Sequence, residues 1–166
     1  MSRAARKLTK QCLPVIGFLA VSIWLMAPTL RQLHSSLPTG DTRVATVPLF
    51  NAWTIWWNAD RLPHGFANYW DAPIFFPTPG AFAFSEPQPA TLLVAPVYWI
   101  SGSPIVTYKA WLLLSLTLNG VFTFRLLRGT GADRVVATVG GLILLALPIV
   151  HQQLEVLQMV PLWGIL

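Results

Sequence analysis

The sequence predicts an all-α integral membrane protein, and three observations carry that expectation. Of the 166 residues, 54% are hydrophobic and 10% charged, and the mean hydropathy is +0.57, well outside the range of ordinary soluble domains. Apolar runs fall at residues 12–30, 104–127 and 135–150. The basic residues cluster at the ends of these runs instead of forming a stripe along one polar face, so the net charge of +5 points to membrane orientation and not to nucleic acid. The expected architecture is about three transmembrane helices plus a large outer loop with amphipathic interfacial helices, with a fourth span starting at the C-terminus.

The elements follow in order. Arg3, Arg6, Lys7 and Lys10 precede the first apolar run, a pattern shared by a signal peptide and a start-transfer anchor. No small-x-small cleavage site stands near Ala27-Pro28, no lipoprotein box precedes Cys12, and later spans follow. Residues 11–30 are therefore expected to be retained as span 1, with 1–10 a cytoplasmic tail. Cys12 is the only cysteine, so a disulfide within the chain and a cysteine-based zinc cluster are both excluded.

Residues 104–127 form span 2, which ends in Arg125 and Arg128. Arg134 follows the Gly129-Thr130-Gly131 turn. These arginines define a cytoplasmic turn at 128–134, from which span 3, residues 135–150, returns outward and delivers the outer segment 151–160. Residues 90–101 are apolar but too short to cross a hydrocarbon core of roughly 30 Å. With Pro96 inside and Gly102-Ser103-Pro104 behind, they read as a re-entrant or interfacial helix. Were they to cross, the arginine cluster would face outward, against the positive-inside bias. Residues 161–166 are apolar without a charged flank and read as the start of span 4, so the chain is expected to be the N-terminal part of a polytopic domain.

The outer loop, residues 31–89, holds four of the six acids and half of the eight tryptophans, a composition a linker does not need. Pro48 can open a helix capped at Thr46 or Val47, and the run to Leu62 shows a polar stripe of Asn51, Thr54, Asn58 and Arg61 among large apolar residues. Such a helix suits the headgroup boundary, where an indole has an apolar body and one N–H to satisfy; packing under the rest of a larger protein is the alternative. From Pro63 onward prolines and glycines rule out long regular elements, while the aromatic content predicts an ordered lid instead of disorder.

This layout resembles the membrane glycosyltransferases of the GT-C class, which includes the protein mannosyltransferases and the aminoarabinose transferases acting on lipid A. Four features carry the resemblance: the basic-flanked first span; Gly40-Asp41-Thr42-Arg43 shortly after it; a short amphipathic helix; and the block Tyr69-Trp70-Asp71-Ala72-Pro73-Ile74-Phe75-Phe76-Pro77 leading through Ser85-Glu86-Pro87-Gln88-Pro89 into a short helix and an Arg-ended span. The resemblance implies transfer of a sugar from a polyprenyl-phosphate donor to an acceptor on the outer face of a membrane, expected to be the bacterial inner membrane. It also implies that Asp41 is the catalytic base, or a residue binding acceptor or metal, and that Glu155 is the second acid after the third span. The pair Asp41-Thr42 stands where the family commonly has two acids. The partners expected are the lipid-linked sugar donor, membrane lipids and the remaining C-terminal spans, and no nucleic acid.

A carboxylate becomes a better base when partly desolvated beside apolar walls, which suits Asp41; the plainer role is a turn or cap acid. Arg43 has the fork of donors that a lipid phosphate takes, or it anchors to headgroups. His151 and Glu155, at i and i+4, share a face if the helix continues past Pro148, with Gln158 near them; a water-wetted helix end is the alternative. Trp70, Asp71 and Glu86 are candidates to stack on a sugar and bind its hydroxyls, or are loop-folding residues. Asp60-Arg61 reads as a solvated local pair, Asn119 as an interhelical hydrogen-bond residue and Lys109 as a snorkelling cation. A divalent metal ion is left open as a cofactor, and no metal ligands are assigned, because one His and separate carboxylates have no diagnostic spacing. The competing functions are a non-catalytic membrane subunit and a lipid or polysaccharide transporter. The latter needs ionisable residues within the spans. Phosphate loops, nucleophile elbows, HExxH and paired CxxC motifs are absent.

Overall fold

The computed structural model describes residues 3–39 and 46–166, with side chains of the first segment from Leu13 onward. Among the described residues every regular element is helical. The α-helices are α1 (Arg3–Leu25), α2 (Ala27–Leu30), α3 (Thr46–Arg61), α4 (Ala95–Ser101), α5 (Pro104–Gly129), α6 (Arg134–Ala146) and α7 (Pro148–Gln152). Short 3₁₀ turns fill the loop and the C-terminal segment. Two stretches are long and apolar enough to cross a membrane: Pro104–Gly129, with a mean hydropathy of 1.5, and Arg134–Gln152, with 1.9. Leu13–Leu25 and Pro89–Ser101 are apolar but shorter.

Local chemistry explains where the long helices begin and end. α4 stops at Gly102, whose φ of 64° closes the helix with its N–H on the Tyr98 carbonyl at 2.7 Å, a left-handed position that glycine takes without a side-chain penalty. One residue later Ser103 caps α5 by accepting from the Val106 N–H at 3.3 Å, with Pro104 in the first turn. Asp133 caps α6 in the same way, its Oδ1 accepting from the Val136 N–H at 2.9 Å. α6 ends because Leu147 is extended, with ψ 125°, the conformation favoured before a proline. Pro96 does not break the 90–101 segment; it lies in the first turn of α4, after a 3₁₀ stretch over Pro89–Val94.

α5 is the axis of the packing, in contact with α1, α3, α4 and α6. Phe18 of α1 meets Phe124 near the C-terminal end of α5, with ring centroids 6.3 Å apart, while Lys109 near its N-terminal end reaches the Gln32 carbonyl beyond α2. α1 and α5 are therefore antiparallel, and the backbone of residues 3–10 lies at the same end as Arg125, Arg128 and Arg134. The helices meet at two glycines. A Cβ on Gly120 would stand 2.6 Å from the Phe18 ring, and one on Gly141 would stand 2.6 Å from that ring and 2.9 Å from the Gly120 carbonyl oxygen. Small residues allow this approach, and in lipid van der Waals packing is what holds helices together. The outward face of α6 is apolar: Val135 is 72% exposed, and Val136, Val139, Leu142 and Ile143 are exposed as well. A water-facing helix places polar residues there; a lipid-facing one does not.

Two expectations change. The polar stripe of α3, read as suited to a headgroup boundary, points inward: Asn51, Thr54 and Asn58 are buried and Leu49 is exposed, because α3 packs on α5, α4 and the Pro89–Val94 turn. Lys109 does not snorkel; its side chain is fully buried and the amine ends on a carbonyl. Residues 161–166 hold a 3₁₀ turn over Leu162–Gly164. Asn119 anchors this segment through the Val160 carbonyl and the Trp163 N–H, each at 2.8 Å.

Candidate functional site

The inward polar stripe of α3 builds a site at the end of the molecule away from the arginines. Asn51 and Asn58 are two helical turns apart on one face, and both reach across to other segments. The Asn51 amide donates to the Glu155 carbonyl at 2.8 Å and its Oδ1 accepts from Gln88 Nε2 at 2.6 Å. Asn58 donates to the Pro87 carbonyl at 2.7 Å and to Thr91 Oγ1 at 2.9 Å, and accepts from the Tyr69 hydroxyl at 2.7 Å. Tyr108 of α5 donates to the Leu154 carbonyl at 2.8 Å, holding the C-terminal segment against the same cluster. Burial pushes the Tyr69 phenol above its ordinary value of 10.0, since removal from water disfavours the phenolate.

Gln88 is the centre of this network. Its Nε2 lies between Asn51 Oδ1 and Gln158 Oε1, the latter at 3.3 Å, and Gln158 in turn donates to Glu86 Oε2 at 2.7 Å. Its backbone has φ 47°, a left-handed conformation that costs a non-glycine residue about 1–3 kcal/mol and recurs at functional sites. The Gln88 Oε1 is buried without a hydrogen-bond partner among the described residues. Thr54 Oγ1, on the α3 stripe, is likewise buried without a partner among the described residues, and a buried acceptor left open suits a ligand hydroxyl.

Beside the amides lies an aromatic groove of about 400 Å³ lined by Phe66, Tyr69, Trp70, Pro87, Pro89 and Leu92. Tyr69 and Trp70 form its edge, with centroids 4.9 Å apart in a T-shaped contact, and Trp70 is 51% exposed. The Trp57 Nε1 donates to the Tyr69 carbonyl at 3.0 Å, and Phe82 packs edge-on against Tyr69 and Trp53. The groove thus rests on a buried aromatic layer.

Of the residues expected to act, Glu155, Glu86 and Trp70 come together around this cluster. Glu155 is buried, at 6% exposure. His151 does not share a helix face with it: α7 ends at Gln152 and the chain turns before Glu155. The His151 ring instead lies 2.8 Å from the Leu145 carbonyl through Nε2; since a carbonyl only accepts, this nitrogen carries the proton. Asp71 folds the loop, its Oδ1 accepting from the Gly80 N–H at 2.8 Å. Asp60 and Arg61 form the expected local ion pair, with the guanidinium also 4.7 Å from the Trp57 ring centroid. Asp41 and Arg43 lie outside the described residues. Among the described residues no three His, Cys, Asp or Glu side chains gather as a metal site. Asn51 and Gln88 were not singled out as site residues from sequence; a polar stripe inside an aromatic helix and a glutamine between two prolines were the available signals. Comparison of the chain with protein-family models, with curated proteins and with solved structures returned no match.

Proposed function

We propose that the chain belongs to a polytopic membrane glycosyltransferase of the GT-C class, with residues 1–10 and the arginine turn on the cytoplasmic side and the aromatic loop outside. Three spans, of which α1 is the first, fit the charge distribution: seven of the eleven Lys and Arg fall on the arginine side of this topology and five of the six acids on the other. The observation that carries the enzymatic reading is the open acceptor on Gln88 beside the Trp70 groove. Amides that fix hydroxyl orientation next to an aromatic face are a fitting surface for a sugar, which has polar edges and apolar C–H faces.

In this reading Asp41 takes the proton of the acceptor hydroxyl, whose oxygen bonds to the anomeric carbon as the bond from that carbon to the polyprenyl-phosphate oxygen breaks. Arg43 holds the phosphate, and Glu86, Gln88, Glu155 and Trp70 hold the sugar. The test is transfer from a labelled polyprenyl-phosphate sugar in membranes carrying the intact gene product. Asp41→Asn is expected to abolish transfer while the protein still accumulates, and Gln88→Ala to weaken donor binding; undiminished transfer by Asp41→Asn removes the base role.

A second reading, a non-catalytic subunit, is favoured by one observation: Phe76 and Phe84 are 92% and 87% exposed on the loop. Replacing both by Ser separates the two readings, because a subunit loses its partner in pull-down while a transferase keeps its donor binding.

A further inference from the structure

A second cavity lies at the other end of the molecule. A groove of about 900 Å³ runs between α1, α5 and α6. Its walls are apolar, with Leu13, Phe18, Phe124, Val139 and Leu142 among them, and its mouth carries Arg125, Arg128 and Arg134. We propose that this groove binds one anionic phospholipid from the leaflet at the arginine end, with an acyl chain along the apolar walls and the phosphate under the three guanidinium groups. The proposal rests on the membrane-spanning reading given above, and not on the transferase reading.

Charge complementarity selects this occupant. The three arginines are exposed, and the ion pair found among the described residues, Arg61 with Asp60, is not near them. Arg128 donates to the Ala132 carbonyl at 2.6 Å, a neutral partner, and Arg125 lies 5.8 Å from the Phe122 ring centroid. Asp133 is beside them in sequence, but its carboxylate caps α6 on the Val136 N–H. A second copy of the chain is a poor occupant, because its other acids, at positions 41, 60, 71, 86 and 155, fall between residues 31 and 89 or beyond α7, and Asp60 is already paired with Arg61. An anionic phospholipid has both parts the groove lacks, a chain for the walls and a phosphate for the forked donors. Each cation near an anionic surface contributes about a fivefold gain in affinity at moderate salt.

The test uses the full chain, purified in detergent and titrated with phosphatidylglycerol or phosphatidylcholine under native mass spectrometry. Insertion into phosphatidylcholine vesicles is measured alongside. The expected result is one tightly retained phosphatidylglycerol per chain. The preference over phosphatidylcholine should fall about fivefold for each Arg→Gln change at 125, 128 and 134, and by about two orders of magnitude in the triple variant. Val139→Trp, which fills the groove, should lower retention of both lipids, and helix content by circular dichroism should stay unchanged in all variants. Equal retention of the two lipids, a triple variant that keeps its preference, or a dimer whose formation excludes lipid each overturns the proposal. Failure to enter phosphatidylcholine vesicles instead refutes the membrane reading beneath it, so the two failures are distinguishable.

Discussion

The contact of Gly120, Gly141 and Phe18 makes a prediction that separates packing from helix propensity. An alanine in the interior of a helix is favoured over glycine by about 1 kcal/mol, and Gly17→Ala, where an added Cβ meets nothing within 4 Å, should be stabilised by that amount. At Gly120 the same methyl would lie 2.6 and 2.8 Å from Phe18 ring carbons and 3.2 Å from a Leu145 methyl. Phe18 is buried, and its far edge is held over Gly141, so the ring cannot turn aside. Overpacking of this kind costs about 1–3 kcal/mol, which outweighs the propensity gain and leaves Gly120→Ala less stable than Gly17→Ala by a margin of that size.

The two glycines differ in how they can be rescued. Every close contact at Gly120 is a side chain, so Phe18→Leu should relieve Gly120→Ala, with a coupling of about 1 kcal/mol or more in a double-mutant cycle. At Gly141 the Gly120 carbonyl oxygen, 2.9 Å away, remains after the ring is removed, so the rescue there should be partial. Thermal unfolding in detergent followed by far-UV circular dichroism measures all of these variants. If Gly120→Ala matches Gly17→Ala, or if Phe18→Leu rescues both glycine variants equally, the close helix crossing is not what the glycines serve.

Other expectations follow from the hydrogen bonds. Because the Tyr69 phenol is raised above 10.0 by burial, its contribution to loop stability should be complete below pH 10.0 and decline as pH rises through the folded-state value; Tyr69→Phe should erase that alkaline step in tryptophan fluorescence. Asn119→Leu leaves the Val160 carbonyl and Trp163 N–H without their partners, at a cost of about 1–3 kcal/mol for each buried group, and should make residues 158–164 sensitive to limited proteolysis. His151→Ala frees the Leu145 carbonyl and should lower thermal stability by about 1–3 kcal/mol, whereas His151→Gln, which retains a donor, should recover part of the loss.

The sequence foretold α5 within two residues at its C-terminal end, because hydropathy and caps are local properties, but it carried span 3 through Pro148 to residue 150, where the structure ends α6 at Ala146. The orientation of α3 was not legible. Amphipathic reasoning assumes water outside, and in this chain the polar stripe of Asn51, Thr54 and Asn58 serves the interior while apolar residues such as Leu49 face out. Lys109 was misjudged for a related reason: a cation near a helix end was given to the solvent, but the tertiary fold supplies the Gln32 carbonyl instead. The meeting of Asn51, Gln88 and Glu155 spans 104 positions between the first and last of them, and no spacing rule reaches that far. Trp70 and Glu86 stand in the two stretches quoted for the resemblance, while Gln158, which donates to Glu86, lies far outside them.

The His151 bond to Leu145 also bears on how the site could respond to a substrate. Pro148 supplies no N–H to the turn before it, and a proline break left unmended is a natural pivot. Here the Leu147 N–H takes the Leu144 carbonyl that Pro148 leaves open, and the imidazole adds a second tie, from the start of the C-terminal segment to the Leu145 carbonyl in the trunk of α6. The wall that carries Glu155 is therefore braced. The opposite side is held as well, by the Asn58 amide on the Pro87 and Gln88 carbonyls, so in mechanical terms the site has two fixed jaws.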